Sequence, residues 1–184
     1  MPNWCNNTIE IIGAKEKINQ FVSFLEENNG KDWFNHFLPC PQELLSVGDV
    51  SLTEPGDQIL KEKYGHSDWY SWCIENWGCK WNCDAQDWMK VENTNADEAS
   101  VTFWFDSPWG PPIQLYETIE ANSELTVIAS YHEEGMAFVG KYSEGFDEIY
   151  EYSDLESLDD IPEELVEEWN LVELLQDREE WEDE

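Results

Sequence analysis

The chain has 184 residues, of which 42 are Asp or Glu and only nine are Lys or Arg, so its formal net charge is −33 at pH 7. Such a field repels nucleic acids and anionic membranes, which bind proteins through Lys and Arg, and it attracts basic partners. Because 41% of the residues are apolar and 14% are aromatic, the chain is expected to fold despite this charge.

The first predicted elements are a strand and a helix. Residues 8–12 alternate, with Ile9 and Ile11 on one side, which predicts a strand. In residues 15–28, apolar side chains recur at spacings of three and four, which predicts a helix with one apolar face. That face consists of Ile18, Phe21, Val22 and Leu25.

Residues 30–79 are predicted to be a long insertion that carries a helix of its own. Ser67 is the predicted N-cap of this helix, and Gly78 follows its end at Trp77. The side chains that share one face at helical spacing are Trp69, Trp72, Cys73 and Trp77. An aromatic stripe of this kind favours burial against the rest of the domain.

The order of the remaining elements predicts the fold. Strands are predicted within residues 80–92, over residues 100–106 and over residues 125–131, with a helix over residues 113–121 between the last two. Strand-helix-strand-strand-helix-strand is the order of a ferredoxin-like split βαβ plait. The sequence therefore predicts an α+β protein, with a ferredoxin-like domain at 1–142, an insertion at 30–79 and an acidic extension at 143–184.

The extension is predicted to begin within a hairpin and to continue as a helix. Residues 131–152 contain spaced glycines among aromatic residues, which predicts a hairpin that extends the sheet. Asp160 and Glu163 fit a capping box at the start of a helix over about residues 161–176. Its apolar stripe is Leu165, Trp169, Val172 and Leu175, and its water-facing acids are Glu163, Glu164, Glu167 and Glu168.

Four strings carry a resemblance to a known family. They are residues 1–7 (MPNWCNN), 72–82 (WCIENWGCKWN), 105–112 (FDSPWGPP) and 131–140 (YHEEGMAFVG). Together they resemble the YubB-like family of plasmid and phage proteins over about residues 1–142. The resemblance implies a ferredoxin-like N-terminal domain and a mobile-element setting, and it implies no catalytic residues.

Two groups of residues have the chemistry of a local binding site. A pocket suited to a flat or cationic ligand is predicted from Trp77, Trp81, Trp104, Trp109, Glu75, Asn76 and Asp106. The set His66, Cys73, Cys79 and Cys83 lacks the ligand spacing of compact zinc sites, so its cysteines are predicted to be buried, reduced thiols. The sequence predicts no metal, no cofactor and no catalytic residue, and enzymatic activity is the weaker expectation.

Charge is the basis of the first functional hypothesis. Residues 143–184 hold 19 Asp or Glu against Arg178 alone. We therefore expect a cytoplasmic protein that binds a basic protein, with the glutamates of the C-terminal helix as the contact face, and with no direct binding of nucleic acid or membrane. Such a surface suits a nucleic-acid mimic that inhibits a host defence protein. The alternative is a small-molecule-binding or enzymatic module on the tryptophan-rich surface.

Overall fold

A computed structural model of the chain describes residues 2–47, 54–92 and 97–182. Its strands are β1 Trp4–Ala14, β2 Gln86–Glu92, β3 Glu98–Pro108, β4 Thr126–Glu133, β5 Phe138–Ser143 and β6 Phe146–Glu151. They form one antiparallel sheet in the order β2-β3-β1-β4-β5-β6. The α+β class that the sequence predicts is thereby confirmed.

Helices follow the strands in the predicted order. They are α1 Lys15–Asn28, α2 Trp33–Phe37, α3 Gln42–Val47, α4 Glu54–Tyr64, α5 Trp69–Trp77, α6 Ile113–Ser123, α7 Glu163–Glu168 and α8 Leu171–Glu182, with a 3₁₀ turn at Glu156–Asp160. Helices α2 to α5 lie within the predicted insertion at 30–79. No helix in the described ranges combines the length and the apolar character that a membrane span requires.

The main core lies between one face of the sheet and the helices. Ile9 and Ile11 of β1 and Val101, Phe103 and Phe105 of β3 point into it, and each is at most 1% exposed. Helix α1 adds the buried side chains Ile18, Phe21 and Leu25, which lie three and four residues apart as the sequence predicts. Strand periodicity on one side and helix periodicity on the other therefore meet in one core.

The insertion supplies the aromatic centre of this core. Trp33 of α2 packs edge-to-face on Phe103 and Phe105, with ring centroids 5.2 and 5.1 Å apart. Its neighbour Phe34 packs on Trp77 of α5 at 5.4 Å. Burial of the insertion's aromatic side chains thus fixes α2 and α5 against β3.

Helix α5 begins one residue later than the predicted cap implies. Asp68, not Ser67, is its N-cap: the backbone of Asp68 is extended, and its carboxylate accepts a hydrogen bond from the Ser71 amide at 2.8 Å. At the other end Gly78 has a φ of 80° and its amide donates to Ile74 O. The predicted C-terminal stop is therefore confirmed and the predicted N-cap is wrong.

The predicted single C-terminal helix is broken at Asn170. Asn170 has a φ of 49°, which ends α7 and shifts the helical phase of α8. As a result Leu171 is buried while Val172 is 42% exposed, so Val172 does not belong to the apolar stripe. The predicted capping box is also wrong, because Pro162 precedes α7 and no side chain caps it.

A C-terminal segment, residues 152–178, packs on the second face of the sheet beside β5. Val139 of β5 lies on this face and forms a second hydrophobic cluster with the segment. The buried members of that cluster are Val139, Tyr152, Leu158, Ile161, Leu165, Leu171 and Leu175. Residues 143–178 are therefore packed onto the same sheet as the preceding residues.

Candidate functional site

The predicted tryptophan pocket is divided by the sheet. Trp77 is 2% exposed in the main core, and its Nε1 donates to Leu38 O at 2.9 Å. Trp104 lies between Phe103 and Phe105 on β3, so strand alternation directs it to the opposite face, where it is 44% exposed. The prediction that both indoles line one pocket is wrong, because sequence spacing does not tell which face of the sheet a separate helix covers.

Three other predicted pocket residues surround the C-terminal end of β3. Trp81 is half-buried and packs edge-to-face on Trp4 at 6.3 Å. Trp109 follows β3 and is 52% exposed. The carboxylate of Asp106 accepts a hydrogen bond from Asn6 Nδ2 at 2.7 Å. Local contacts hold the side chains of Trp81 and Asp106, while Trp109 is largely exposed.

The last two predicted pocket residues lie on helix α5 and make local contacts there. The carboxylate of Glu75 contacts the His66 ring, with 2.5 Å between Oε2 and Nε2. Asn76 Nδ2 donates to Trp72 O at 2.9 Å, one turn earlier in the helix. Neither side chain is directed to the exposed indoles by these contacts.

The four strings that carry the family resemblance meet at one end of the sheet. The Trp109 amide donates to Asn3 O at 2.9 Å, and Trp4 packs on Trp81. A Cβ atom at Gly135 would lie 2.5 Å from Asn3 Nδ2, so only glycine fits there without movement of Asn3. These five residues, the sheet-end cluster, are tied together by their mutual contacts, which is a sufficient structural role.

A buried amide joins the strands beneath this cluster. Asn7 Nδ2 donates to Cys5 O at 2.7 Å, to Phe105 O at 3.2 Å and to Ser107 Oγ at 2.8 Å. Ser107 Oγ in turn donates to Gly110 O at 2.7 Å. Because the hydroxyl proton is held by a carbonyl and no histidine contacts it, this serine is arranged for structure and not for nucleophilic attack.

All five cysteines are free and buried. Burial raises the pKa of Cys5 and of Cys73, and a hydrogen bond with Cys79, 3.9 Å away between the sulfur atoms, raises that of Cys83. The thiolate is the reactive form, so these thiols are weak nucleophiles and ligands at neutral pH. In the described part of the chain no three His, Cys, Asp or Glu side chains are grouped to hold a metal ion.

The four glutamates of α7 are all exposed, as the sequence predicts. Glu164 accepts from Lys141 Nζ at 3.1 Å, and Glu168 accepts from Ser130 Oγ at 2.6 Å. Glu163 and Glu167 have no ion-pair or hydrogen-bonding side-chain partner among the described residues. Helix α7 therefore directs two carboxylates toward the sheet and leaves two uncompensated toward water.

Lys141 brings the acids of α7 and β6 together. Its Nζ lies 3.5 Å from a Glu148 carboxylate oxygen and 3.1 Å from one of Glu164. The hydrogen bond to Glu164 raises the pKa of Lys141, so its charge is retained and is cancelled locally by two carboxylates. Sequence reasoning missed the contribution of β6, whose three acids Asp147, Glu148 and Glu151 follow Lys141 within ten residues.

We define the acidic surface as the exposed carboxylates of β6, of the segment before α7, and of α7. They are Asp147, Glu148, Glu151, Asp154, Glu156, Asp159, Asp160, Glu163, Glu164, Glu167 and Glu168. Lys141 is the one cation that contacts them within the described residues. The acidic surface therefore has a strongly negative potential that no internal ion pairing removes.

A groove of about 310 Å³ runs between α7 and the second face of the sheet. Its charged lining residues are Glu10, Glu164 and Glu168 together with Lys141, which is paired with Glu164. Thr8, which also lines it, lies directly opposite the exposed Trp104 in the register of β1 and β3. The groove and the exposed indole of Trp104 therefore lie on the same face of the sheet.

His132 makes the docking of the C-terminal segment sensitive to acid. It is 5% exposed, its Nε2 lies 2.6 Å from Tyr152 Oη, and its ring faces Trp169 at 5.6 Å. Burial lowers the pKa of His132 from its usual 6.5, although Glu134 and Glu133 oppose the shift. As the pH falls, the unfolded chain therefore binds a proton at His132 before the folded chain does. The contribution of neutral His132 to the free energy of unfolding is present above pH 6.5 and is lost progressively below it.

We expect the free energy of unfolding of His132→Gln to depend less on pH in this range, because Gln keeps a hydrogen-bonding group near Tyr152 and does not titrate. The free energy of urea unfolding should be measured for both proteins on each side of pH 6.5. The carboxylates titrate in both proteins and cancel in the difference. Equal pH slopes for the variant and the parent would contradict the assignment to His132.

No family model and no curated protein matches the chain. Among solved structures, one similar chain is the protein api92 from Yersinia pseudotuberculosis, described by the family model DUF1281. The similarity covers 83% of this chain and 99% of that one, with 12% sequence identity and a TM-score of 0.39.

Proposed function

We propose that this protein binds a basic protein partner through the acidic surface. The observation that supports this most directly is the meeting of β6 and α7 at Lys141, which joins carboxylates from separate parts of the sequence into one surface. Both carboxylates at Lys141 are more than half exposed. A surface of this kind speeds encounter with a cationic protein and selects against anionic partners.

The class of partner follows from the charges on both sides. Binding of nucleic acid needs Lys and Arg to replace counterions, and nine such residues against 42 acids cannot supply a basic face. A protein that itself binds nucleic acid has the cationic groove that the acidic surface complements. We place the interaction in the cytosol, where such a partner would be met.

The finer proposal is mimicry of nucleic acid by a phage or plasmid protein that inhibits a host defence system. Duplex DNA carries one charge per about 1.7 Å of its axis, and a helix rises about 1.5 Å per residue. Helix α7 has six residues, so it can imitate only a short run of phosphates by itself. The acids of β6 and of the 3₁₀ turn would have to extend the imitation, which makes the whole acidic surface the unit of recognition.

The family and fold proposals fit this setting. We propose that β1 to β4 with α1 and α6 form a ferredoxin-like split βαβ plait, on the strength of the antiparallel order β2-β3-β1-β4. We also propose membership of the YubB-like family, because its four strings meet in the sheet-end cluster. Strands β5 and β6 and the C-terminal segment would then be additions to the plait that carry the acidic surface.

Replacing Glu163, Glu164, Glu167 and Glu168 together by Gln is expected to weaken binding of a short poly-lysine peptide about tenfold at low salt, as each exposed charge contributes a few tenths of a kcal/mol or more. Isothermal titration across a salt series measures this, and the affinity of the parent should fall steeply as salt rises.

The matched control removes four exposed glutamates from α1, α4 and α6. It combines Glu26→Gln, Glu27→Gln, Glu62→Gln and Glu117→Gln. Both variants change the net charge equally, so only the position of the lost charge differs. Equal losses in the two variants would mean that total charge, and not the acidic surface, determines binding.

A second candidate is a module for a small cationic ligand on the second face of the sheet. It is favoured by the groove beside α7, which Glu10 and Glu168 line, and by the exposed Trp104 on the same face of the sheet. An indole face and carboxylates together suit an organic cation. If the parent does not bind poly-lysine at low salt but binds such a ligand at high salt, this candidate replaces the proposed binding of a basic protein.

A further inference from the structure

Strand β6 forms an open edge of the sheet. It pairs with β5 on one side through six consecutive residues, from Ser143 opposite Phe146 to Phe138 opposite Glu151, without a register shift. It is last in the strand order, and five of its six residues are exposed. An edge of this kind presents unpaired backbone groups as a template for a further strand.

The turn that precedes β6 determines which backbone groups point outward. Glu144 and Gly145 have φ values of 53° and 77°, the positive pair of a two-residue type I′ turn. Such a turn closes on a hydrogen-bonded pair, here Ser143 with Phe146, and the bonded pairs then alternate along the strands. The amides and carbonyls of Asp147, Ile149 and Glu151 therefore face away from β5, and no hydrogen bond joins them to another described residue.

The opposite edge of the sheet differs. Strand β2 has a register shift between Gln86 and Met89, and Asp87 within it has a φ of 48°. A bulge of this kind interrupts pairing and protects an edge against further strands. Of the two edges, β6 is the regular one.

The side chains of β6 indicate what kind of strand it can accept. Phe146 is 74% exposed and Ile149 is 57% exposed, which gives apolar contact to a neighbour. If a second copy of this edge paired with β6, it would bring its own Asp147, Glu148 and Glu151 against those of the first copy. Like charges directly opposite one another are destabilising. A strand with Lys or Arg at those positions would instead gain opposite-charge pairs.

We propose that β6 takes up an extended basic segment of the partner as an added strand. This rests on the proposed function, because it supplies the mode by which the acidic surface holds a basic protein. The backbone of Asp147, Ile149 and Glu151 provides the hydrogen bonds. The carboxylates of Asp147 and Glu151 on one face of the sheet, and that of Glu148 on the face that carries α7, select a cationic sequence. The occupant is a Lys- or Arg-rich segment of a partner in extended conformation.

The test uses the full chain and a short peptide that alternates Lys and Thr. Shifts in the amide NMR signals of the protein are expected to centre on Asp147, Ile149 and Glu151. Ile149→Pro removes an outward amide that β5 does not use, and proline is tolerated at such edge positions. We expect Ile149→Pro to weaken binding about tenfold, while Ile149→Ala, which keeps the amide, has a smaller effect.

A second arm does not depend on the folding of a variant. The same peptide N-methylated at every residue keeps its charge but cannot donate hydrogen bonds to a strand edge, and it is expected to lose about tenfold in affinity for the parent. Equal binding of both peptides, or shifts confined to α7, overturns strand addition. If poly-lysine still binds in that case, the proposed function stands; if the parent binds no polycation, the proposed function itself has failed.

Discussion

Trp33→Ala is expected to lower the free energy of unfolding by about 3–5 kcal/mol, the range for loss of a large buried aromatic side chain. Trp33 is fully buried and packs edge-to-face on Phe34 at 4.4 Å, besides its contacts with Phe103 and Phe105. Alanine would leave a cavity between the insertion and β3. Urea unfolding followed by circular dichroism measures the loss.

Two further variants show whether burial is the cause. Trp109→Ala removes an indole that is 52% exposed, so we expect a change of about 0.5 kcal/mol or less. Trp33→Phe keeps an aromatic ring and removes an indole N–H that has no acceptor among the described residues, so its cost should fall between the two. Similar losses for Trp33→Ala and Trp109→Ala would contradict the packing described for α2.

The strands and helices with clear periodicity could be predicted from the sequence. The predicted strand over residues 100–106 lies inside β3, and the predicted helix over residues 15–28 coincides with α1. Strand β1 begins at Trp4, four residues before the predicted start at residue 8. Asn7 is a poor strand former, and its strand conformation depends on hydrogen bonds to Phe105 and Ser107, which are remote in sequence.

The arrangement of the tryptophans could be predicted only in part. Helical spacing indicated that Trp72 and Trp77 are buried, and they are 6% and 2% exposed. The same spacing carries no information about which layer covers β3, and therefore the separation of Trp77 from Trp104 could not be predicted. Residues on different elements share a site only when tertiary packing places them on one face.

The acidic surface was also predicted only in part. The exposure of Glu163 and Glu167 follows from their place opposite Leu165 in a helical pattern. The contact of Glu148 and Glu164 through Lys141 depends on the packing of α7 beside β5, which no local pattern specifies. Charge composition gave the sign of the surface, and tertiary structure gave its shape.

Leu171→Ala is expected to undock the C-terminal segment and to lower the free energy of unfolding by about 2–5 kcal/mol, as for other buried leucines. Leu171 is fully buried in the second hydrophobic cluster, whereas its neighbour Val172 is 42% exposed on the same helix. Val172→Ala is therefore a matched control, with an expected change of about 0.5 kcal/mol or less.

Hydrogen exchange distinguishes undocking from general destabilisation. In Leu171→Ala the amides of residues 153–178 should exchange faster than those of β1 and β3, because the segment is held to the sheet by its own cluster around Val139 and can open without unfolding the main core. Uniformly faster exchange would mean that the segment and the main core unfold as one unit. Undocking also separates Glu164 from Lys141. Leu171→Ala should therefore weaken poly-lysine binding although the net charge is unchanged. Such a loss would mean that recognition depends on the fixed geometry of the acidic surface and not on its charge alone.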